Sequence, residues 1–403
     1  MKNKLLTFLS LALLSTLGSQ FSTAFAQGSL TPPGAPAPTM KTLAQIEPRT
    51  PISSAPFIIS AAGSYYLTTN LTVSAGNAIT IGTNNVTLDL NGFTISSTES
   101  APTGMGIQLG TGSGVKNIAI LNGVIAGGVT NDSVGLFGGS GFGYGITLSG
   151  ASVNVRVTGV SVSGCLYDGI NLSSQNSTVV NSCTVNSVGG AGIRAQSVSD
   201  STALNCGGYG IFASTAANCY GQSLGSSAGL NAETADNCRG SSSSGIGLSA
   251  GNANNCSGSS SNGNGLDAST ANNCSGYSSS DRGLHVVAAN NCYGYSSNYF
   301  GLYAHTASNC RGDSSSYYGV YASRLAVGCF GTSSTGTGLW AFNANNCYGE
   351  TGSPSPSQFG LYAYDIAVGS YGSSSVGGVG IRGYILNSCD GSSIQYTYKY
   401  NMP

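Results

Sequence analysis

A cysteine returns about every 18 residues through the last half of the chain. Cys219, Cys238, Cys256, Cys274, Cys292, Cys310, Cys329 and Cys347 stand 19, 18, 18, 18, 18, 19 and 18 apart. A unit that short cannot bury an apolar face of its own. It must stack on neighbouring copies, so each repeat reads as one coil of a solenoid. Length then sets the number of coils, and 403 residues need not divide into globular domains.

The later coils align residue by residue. A Gly precedes an aliphatic at Ile211, Leu230, Leu248, Leu266, Leu284, Leu302, Val320, Leu339, Leu361 and Ile381. Two residues on stands a small side chain, from Ala213 and Ala232 to Ala363 and Gly383. A period of two puts both on one face of a strand, pointing inward. A second alanine, such as Ala235 or Ala271, comes three residues before each cysteine, so the core is narrow and small residues fill it. Just before the cysteine stands Asn (Asn218 through Asn346) or Gly (Gly328, Gly369). Both tolerate the left-handed conformation, so the position reads as a coil corner with its amides stacked. Two residues after the cysteine stands Gly, from Gly221 to Gly349, which reads as a second tight bend. Ile170 to Cys183 and Ile193 to Cys206 each span 13 residues, where later coils use 8 or 9. Both upstream coils are therefore expected to be longer in one arm, with the solenoid narrowing towards its C-terminus. At ~4.8 Å per coil and about 16 coils, the rod would be on the order of 75 Å long.

Upstream the pattern is also strand-like. Tyr66 to Val73, Ala78 to Ile81, and Val86 to Leu90 (closed by Asn91-Gly92) alternate apolar and polar residues. No segment after residue 27 shows a helical apolar period, so the class is all-β. Before it, Lys2 and Lys4, the apolar run Leu5 to Leu17 and Ala24-Phe25-Ala26 make a secretory signal peptide over residues 1–26. Residues 27–55, with Pro32-Pro33, read as an exposed Pro-rich leader, 56–391 as the solenoid, and 392–403 as a cap that finishes the last coil and protects its open edge. Export to the medium or cell surface is the expectation. No later apolar run approaches the ~20 residues of a membrane span. With 7% charged residues and a net charge of −1, the chain is poorly suited to nucleic acid.

Gly63-Ser64-Tyr65-Tyr66-Leu67 through Val86-Thr87-Leu88-Asp89-Leu90-Asn91-Gly92-Phe93-Thr94-Ile95 resembles the opening of secreted bacterial β-helix proteins. Asp168-Gly169-Ile170 followed by Thr178-Val179-Val180-Asn181-Ser182-Cys183 resembles their repeat. The family is that of the pectate lyases and polygalacturonases. The likeness covers most of residues 57 to 391 and implies a single right-handed parallel β-helix of pectin-lyase-like type. The ~18-residue coils of the C-terminal half are shorter than the family's usual coil. A left-handed β-helix needs an aliphatic every sixth residue, yet Asn290 and Ser296 stand six and twelve after Leu284. A calcium-binding β-roll needs Gly-Gly-x-Gly-x-Asp nonapeptides, which the chain lacks.

The resemblance implies carboxylates that converge to protonate a leaving group and activate water. Asp168-Gly169 stands where polygalacturonases carry one acid. Their adjacent Asp pair, His-Gly and Arg-x-Lys are absent, and Asp89, Asp132, Asp168 and Asp200 are scattered. Asp168 is thus the one catalytic candidate, and it also reads as a turn residue. The calcium of a lyase would need a carboxylate cluster that the pattern lacks. His285 and His305 fall in consecutive coils, offset by two residues. Without an acidic neighbour they read as surface residues. The cysteines admit three readings: small buried hydrophobes, disulfides between coils, or a thiolate stack for a metal. Parallel side chains keep Cβ atoms too far apart for an easy bridge, and Ser370 replaces Cys without disturbing the pattern. The first reading is favoured, and no metal or cofactor is expected.

The residue between the inward aliphatic and the inward alanine points outward. In order it is Phe212, Asn231, Ser249, Asp267, His285, Tyr303, Tyr321, Trp340, Tyr362 and Arg382, with Phe342 and Tyr364 beside it. Tyr303, Tyr321, Trp340, Tyr362, Phe342 and Tyr364 are the candidate binding residues, because contiguous exposed aromatic surface marks a binding site. Stacks of like side chains also serve simply to stabilise a sheet. A further outward row follows each cysteine, from Tyr220 and Arg239 to Tyr348 and Tyr371, and its mixed chemistry suggests no single ligand. The expectation is an exported, non-enzymatic rod that binds a polysaccharide or a cell-surface protein partner. A carbohydrate-active enzyme and a purely structural spacer are the alternatives.

Overall fold

The computed structural model describes residues 47–132, 135–174, 177–375 and 377–401. The expected signal peptide and most of the leader lie outside them. From Arg49 onward the chain forms one unit. Among the described residues there is no helix, hence none that could cross a membrane, and parallel strands stack into a single β-solenoid of about 18 turns. Thr50–Ile52, within the Pro-rich stretch, already pairs with Gly63–Leu67.

In the first coils three strands contribute to each turn. Gly63–Leu67, Leu71–Val73 and Ile79–Ile81 stack on Val86–Asp89, Thr94–Ser97 and Met105–Leu109. From Ile193 onward there are two. The start of Ile193–Ser199 pairs with Ile170–Asn171 and its end with Val179–Asn181. Two strands separated by a corner have become one continuous strand, which is the expected narrowing. It occurs one coil earlier than the cysteine spacing implies. Ser201, not Cys206, holds the cysteine position of the Ile193 coil: the Cys183 N–H donates to Ser201 Oγ at 3.1 Å, and the Tyr220 N–H to the Ser201 carbonyl. Cys206 pairs with Ser223 in a different column. The expectation of a second long coil is therefore corrected. Cysteine and serine, similar in size, have exchanged places.

The core tapers with the coil. One inward column runs Ile95, Ile125, Val162, Val185, Ala203, Gly221, Gly240. A second runs Leu88, Ile120, Val157, Val180, Val198, Ala216, Ala235. A third keeps its bulk: Ile79, Ile107, Ile146, Ile170, Ile193, Ile211, Leu230. Side chains shrink where the walls approach one another and stay large where they do not, which keeps the interior close-packed. The glycine after each cysteine is the end of this taper and not a bend. Gly276 lies inside the strand Ser275–Ser278, and a Cβ on it would stand 2.0 Å from the Gly283 carbonyl oxygen of the facing wall. A Cβ on Gly283 would in turn meet the Tyr295 carbonyl oxygen at 2.3 Å.

The other corner is as expected. Asn218, Asn237, Asn255, Asn273, Asn291, Asn309 and Asn346 have φ between 50° and 54°, and Gly328 and Gly369 adopt the same region. Asn273 Nδ2 donates to Asn255 Oδ1 at 3.3 Å. The cysteines are buried and free. Those of consecutive coils adjoin, with the Cys256 N–H pointing at Cys274 Sγ at 3.4 Å, and each thiol donates to a backbone carbonyl, as Cys256 does to Asn254 at 3.1 Å. Burial pushes Cys165 and Cys206 up to about 12. Hydrogen bonding to the neighbouring thiol, together with burial, raises Cys238 and Cys256 to about 11. Cys165, Cys206, Cys238 and Cys256, held protonated in this way, are poor nucleophiles.

The third side of each late coil is a run of bends, pinned by a hydroxyl column. Ser242, Ser260, Ser278, Ser296, Ser314, Ser333 and Thr351, four residues after each cysteine, are buried. Ser278 Oγ donates to the Gly263 carbonyl of the preceding coil at 2.8 Å and accepts from the Asp281 N–H of its own at 2.9 Å.

Candidate binding face and its C-terminal cleft

Strand register sets the outward column: Asp267, His285, Tyr303, Tyr321, Trp340, Tyr362 and Arg382 are successive partners. Tyr303 and Tyr321 stack at 5.0 Å and 10°, and Tyr321 and Trp340 at 4.4 Å and 9°. Rings one coil apart stand close enough to stack, so these rings spend their faces on one another. They offer edges to the outside and not a flat row of faces. The stack breaks at Tyr362, which meets Trp340 at 6.2 Å and 71°.

Beyond that break lies a cleft of about 290 Å³, lined by Tyr362, Tyr364, Arg382, Tyr384, Gln395 and Tyr396. The Arg382 guanidinium lies 5.4 Å from both the Phe359 and Tyr362 ring centres. Held over rings, a guanidinium keeps its in-plane N–H donors for a ligand. Phe342 stacks on Tyr364 at 5.3 Å, and Tyr364 is 57% exposed. Of the expected binding residues, the structure brings Tyr362 and Tyr364 into the cleft and Phe342 to its rim. Tyr303, Tyr321 and Trp340 form the column leading to it. Tyr384, Gln395 and Tyr396 are additions. The last rung is Ile394–Tyr400, which pairs with Val379–Asn387 and places Tyr396 against Gly383. The visible signal was Gly383, which stands where other coils carry alanine.

Asp168 is occupied. Its Oδ1 accepts from the Ala191 N–H at 2.7 Å and its Oδ2 from Asn171 Nδ2 at 2.6 Å, with Arg194 Nε 3.8 Å away. It ties two coils together. Burial, with the Asp168 charge adding to it, raises the Tyr144 phenol. His285 is corrected: it has an acidic neighbour, one coil back in its own column. Its Nδ1 lies 2.9 Å from Asp267 Oδ2, and Asn264 Nδ2 donates to that same oxygen at 3.0 Å. His305 is exposed and two positions further along its strand. Among the described residues no three His, Cys, Asp or Glu side chains converge as a metal site.

No family model matches the chain, and no curated protein does. Among solved structures it is similar to the A-module of a mannuronan C-5 epimerase from Azotobacter vinelandii, at 12% identity and a TM-score of 0.25, over 85% of this chain and 89% of that one.

Proposed function

We propose that the protein is an exported solenoid that binds an acidic polysaccharide along its aromatic column and in the cleft where that column ends. The cleft carries the reading. Four phenol rings surround Arg382 and Gln395. Amphipathic rings suit the apolar faces of sugars, and a guanidinium suits a sugar carboxylate. Binding without cleavage is the first reading, because both oxygens of Asp168 are engaged in the fold. A pectin-lyase-like carbohydrate-active enzyme is the second, and the Asp267–His285 pair favours it, since an imidazole oriented by a carboxylate can move a proton.

One experiment separates them. The protein is recovered from culture medium with Gln27 as its expected first residue. It is then passed over immobilised polygalacturonate, alginate and xylan while retention and chain cleavage are both scored. Retention on an acidic polymer without cleavage is expected, and Arg382→Ala or Tyr396→Ala should each weaken it about tenfold. Cleavage that disappears in His285→Ala would establish the enzyme instead. Retention on none of the three would leave the spacer.

A further inference from the structure

The outward column has a second discontinuity, at its other end. Between Phe212 and Asp267 the outward residues are Asn231 and Ser249. These are short polar side chains between two blocks of rings, and the surface dips there. One depression of about 470 Å³ is lined by Tyr209, Ser226, Asn231, Ser249, Asn264 and Asp281. A second of about 450 Å³, lined by Ser174, Phe212, Asn231, Glu233 and Ser249, adjoins it through the shared Asn231 and Ser249. Together they make a trough across the column. An arginine lies over rings at either end: Arg194 is 5.7 Å from Tyr209 and from Phe212, and Arg282 is 5.0 Å from Tyr303. Asp267 and His285 follow Ser249 in the column.

The trough also holds unspent polar capacity. Asn264 is only 8% exposed, and its Oδ1 has no donor, its amide nitrogen being spent on Asp267. Arg282 Nε is likewise buried without a hydrogen bond, and so is Arg194 Nε, whose ion-pair partner Asp168 Oδ2 stands 3.8 Å away. Of four such side-chain atoms among the described residues, one lines the trough and two belong to the arginines over the rings at its ends. Buried polar groups are otherwise paired, so their concentration beside a depression points to a ligand. Hydroxyls and amides that both donate and accept, flanked by rings, fit a run of vicinal hydroxyls.

We infer that the trough is a second polysaccharide site on the face that carries the cleft, and that one polymer chain occupies both. The inference rests on the reading of the cleft for its ligand class. Seven register steps, from Ser249 through Asp267, His285, Tyr303, Tyr321, Trp340 and Tyr362 to Arg382, separate the two. At ~4.8 Å per step they lie ~34 Å apart, and the edges of the ring stack fill the interval. A chain that spans this distance makes its second contact intramolecularly, which raises affinity by about 100-fold or more over either site alone.

Calorimetric titration of the full chain with size-fractionated oligomers of polygalacturonate, alginate and xylan tests this. Oligomers too short to span should bind two per protein. Longer ones should bind one per protein, about 100-fold tighter. Ser249→Trp fills the trough with a side chain that the same column already carries at Trp340. It should leave one short oligomer per protein and remove the gain with length. Asn231→Trp should do the same, so a folding defect in one variant does not decide the matter. A single short-oligomer site in the wild type, or an unchanged length dependence in both variants, overturns the inference and leaves the cleft intact. Wild-type stoichiometry in Arg382→Ala with Tyr396→Ala overturns the reading of the cleft, and no binding of any oligomer overturns both.

Discussion

Gly276→Ala is expected to destabilise the C-terminal coils by about 3 kcal/mol or more, one added methyl group doing the damage of a large core substitution. The methyl would stand 2.0 Å from the Gly283 carbonyl oxygen and 2.7 Å from its carbon. Both belong to backbone that is hydrogen-bonded to the next coil, as in the Gly283 N–H to the Phe300 carbonyl at 2.9 Å. No side chain can swing aside, so a wall must move, and its register with the coils above and below goes with it. Gly138→Ala is the matched comparison. Its Cβ would meet nothing within 4 Å, and stability should change by less than ~0.5 kcal/mol. Denaturant midpoints of the two variants decide it; equal midpoints would mean that the walls are not in contact.

Ser278→Ala should be the second most damaging change, at about 2–4 kcal/mol in the same measurement. Removing the hydroxyl strips the Gly263 carbonyl of a donor and the Asp281 N–H of its acceptor, in a place water does not reach. A buried group left unpaired costs about 1–3 kcal/mol. Ser278→Thr should be tolerated, because Thr351 already stands in that column and its Oγ1 donates to the Gly336 carbonyl of the preceding coil in the same way. A loss in Ser278→Thr as large as in Ser278→Ala would show that the column selects for size and not for the hydrogen bond.

These two positions also show what the sequence reveals and what it hides. Inward Leu266 and Ala268, the corner Asn273 and the buried Cys274 are legible because each recurs at one coil's spacing and each has a single physical use. Glycine has two. It serves positive φ and it serves the absence of a side chain, and spacing alone does not distinguish Gly328 from Gly276. Only the succession Ile95, Ile125, Val162, Val185, Ala203, Gly221 shows which is meant. Ser278 escaped notice among so many serines. Cys206 misled because thiol and hydroxyl are interchangeable in size, so counting cysteines shifted one coil. In the site, the order of the outward column was readable to Arg382. Asp267 and His285 were both in it, yet their contact runs between coils, 18 residues apart along the chain. Ring orientation is set by packing and leaves no trace in residue identity, so that Tyr321 and Trp340 show their edges could not be read in advance.

The bonds that join one coil to the next, such as the Leu266 N–H to the Gly283 carbonyl at 3.0 Å, point along the axis of winding. Tension between the two ends would therefore peel rungs in succession and never shear many at once. Each 18-residue coil set free would lengthen the chain by ~60 Å at roughly 3.4 Å per residue. A single molecule stretched between tip and surface should yield in a train of small, evenly sized events. One tall rupture would mean that the coils share their burden.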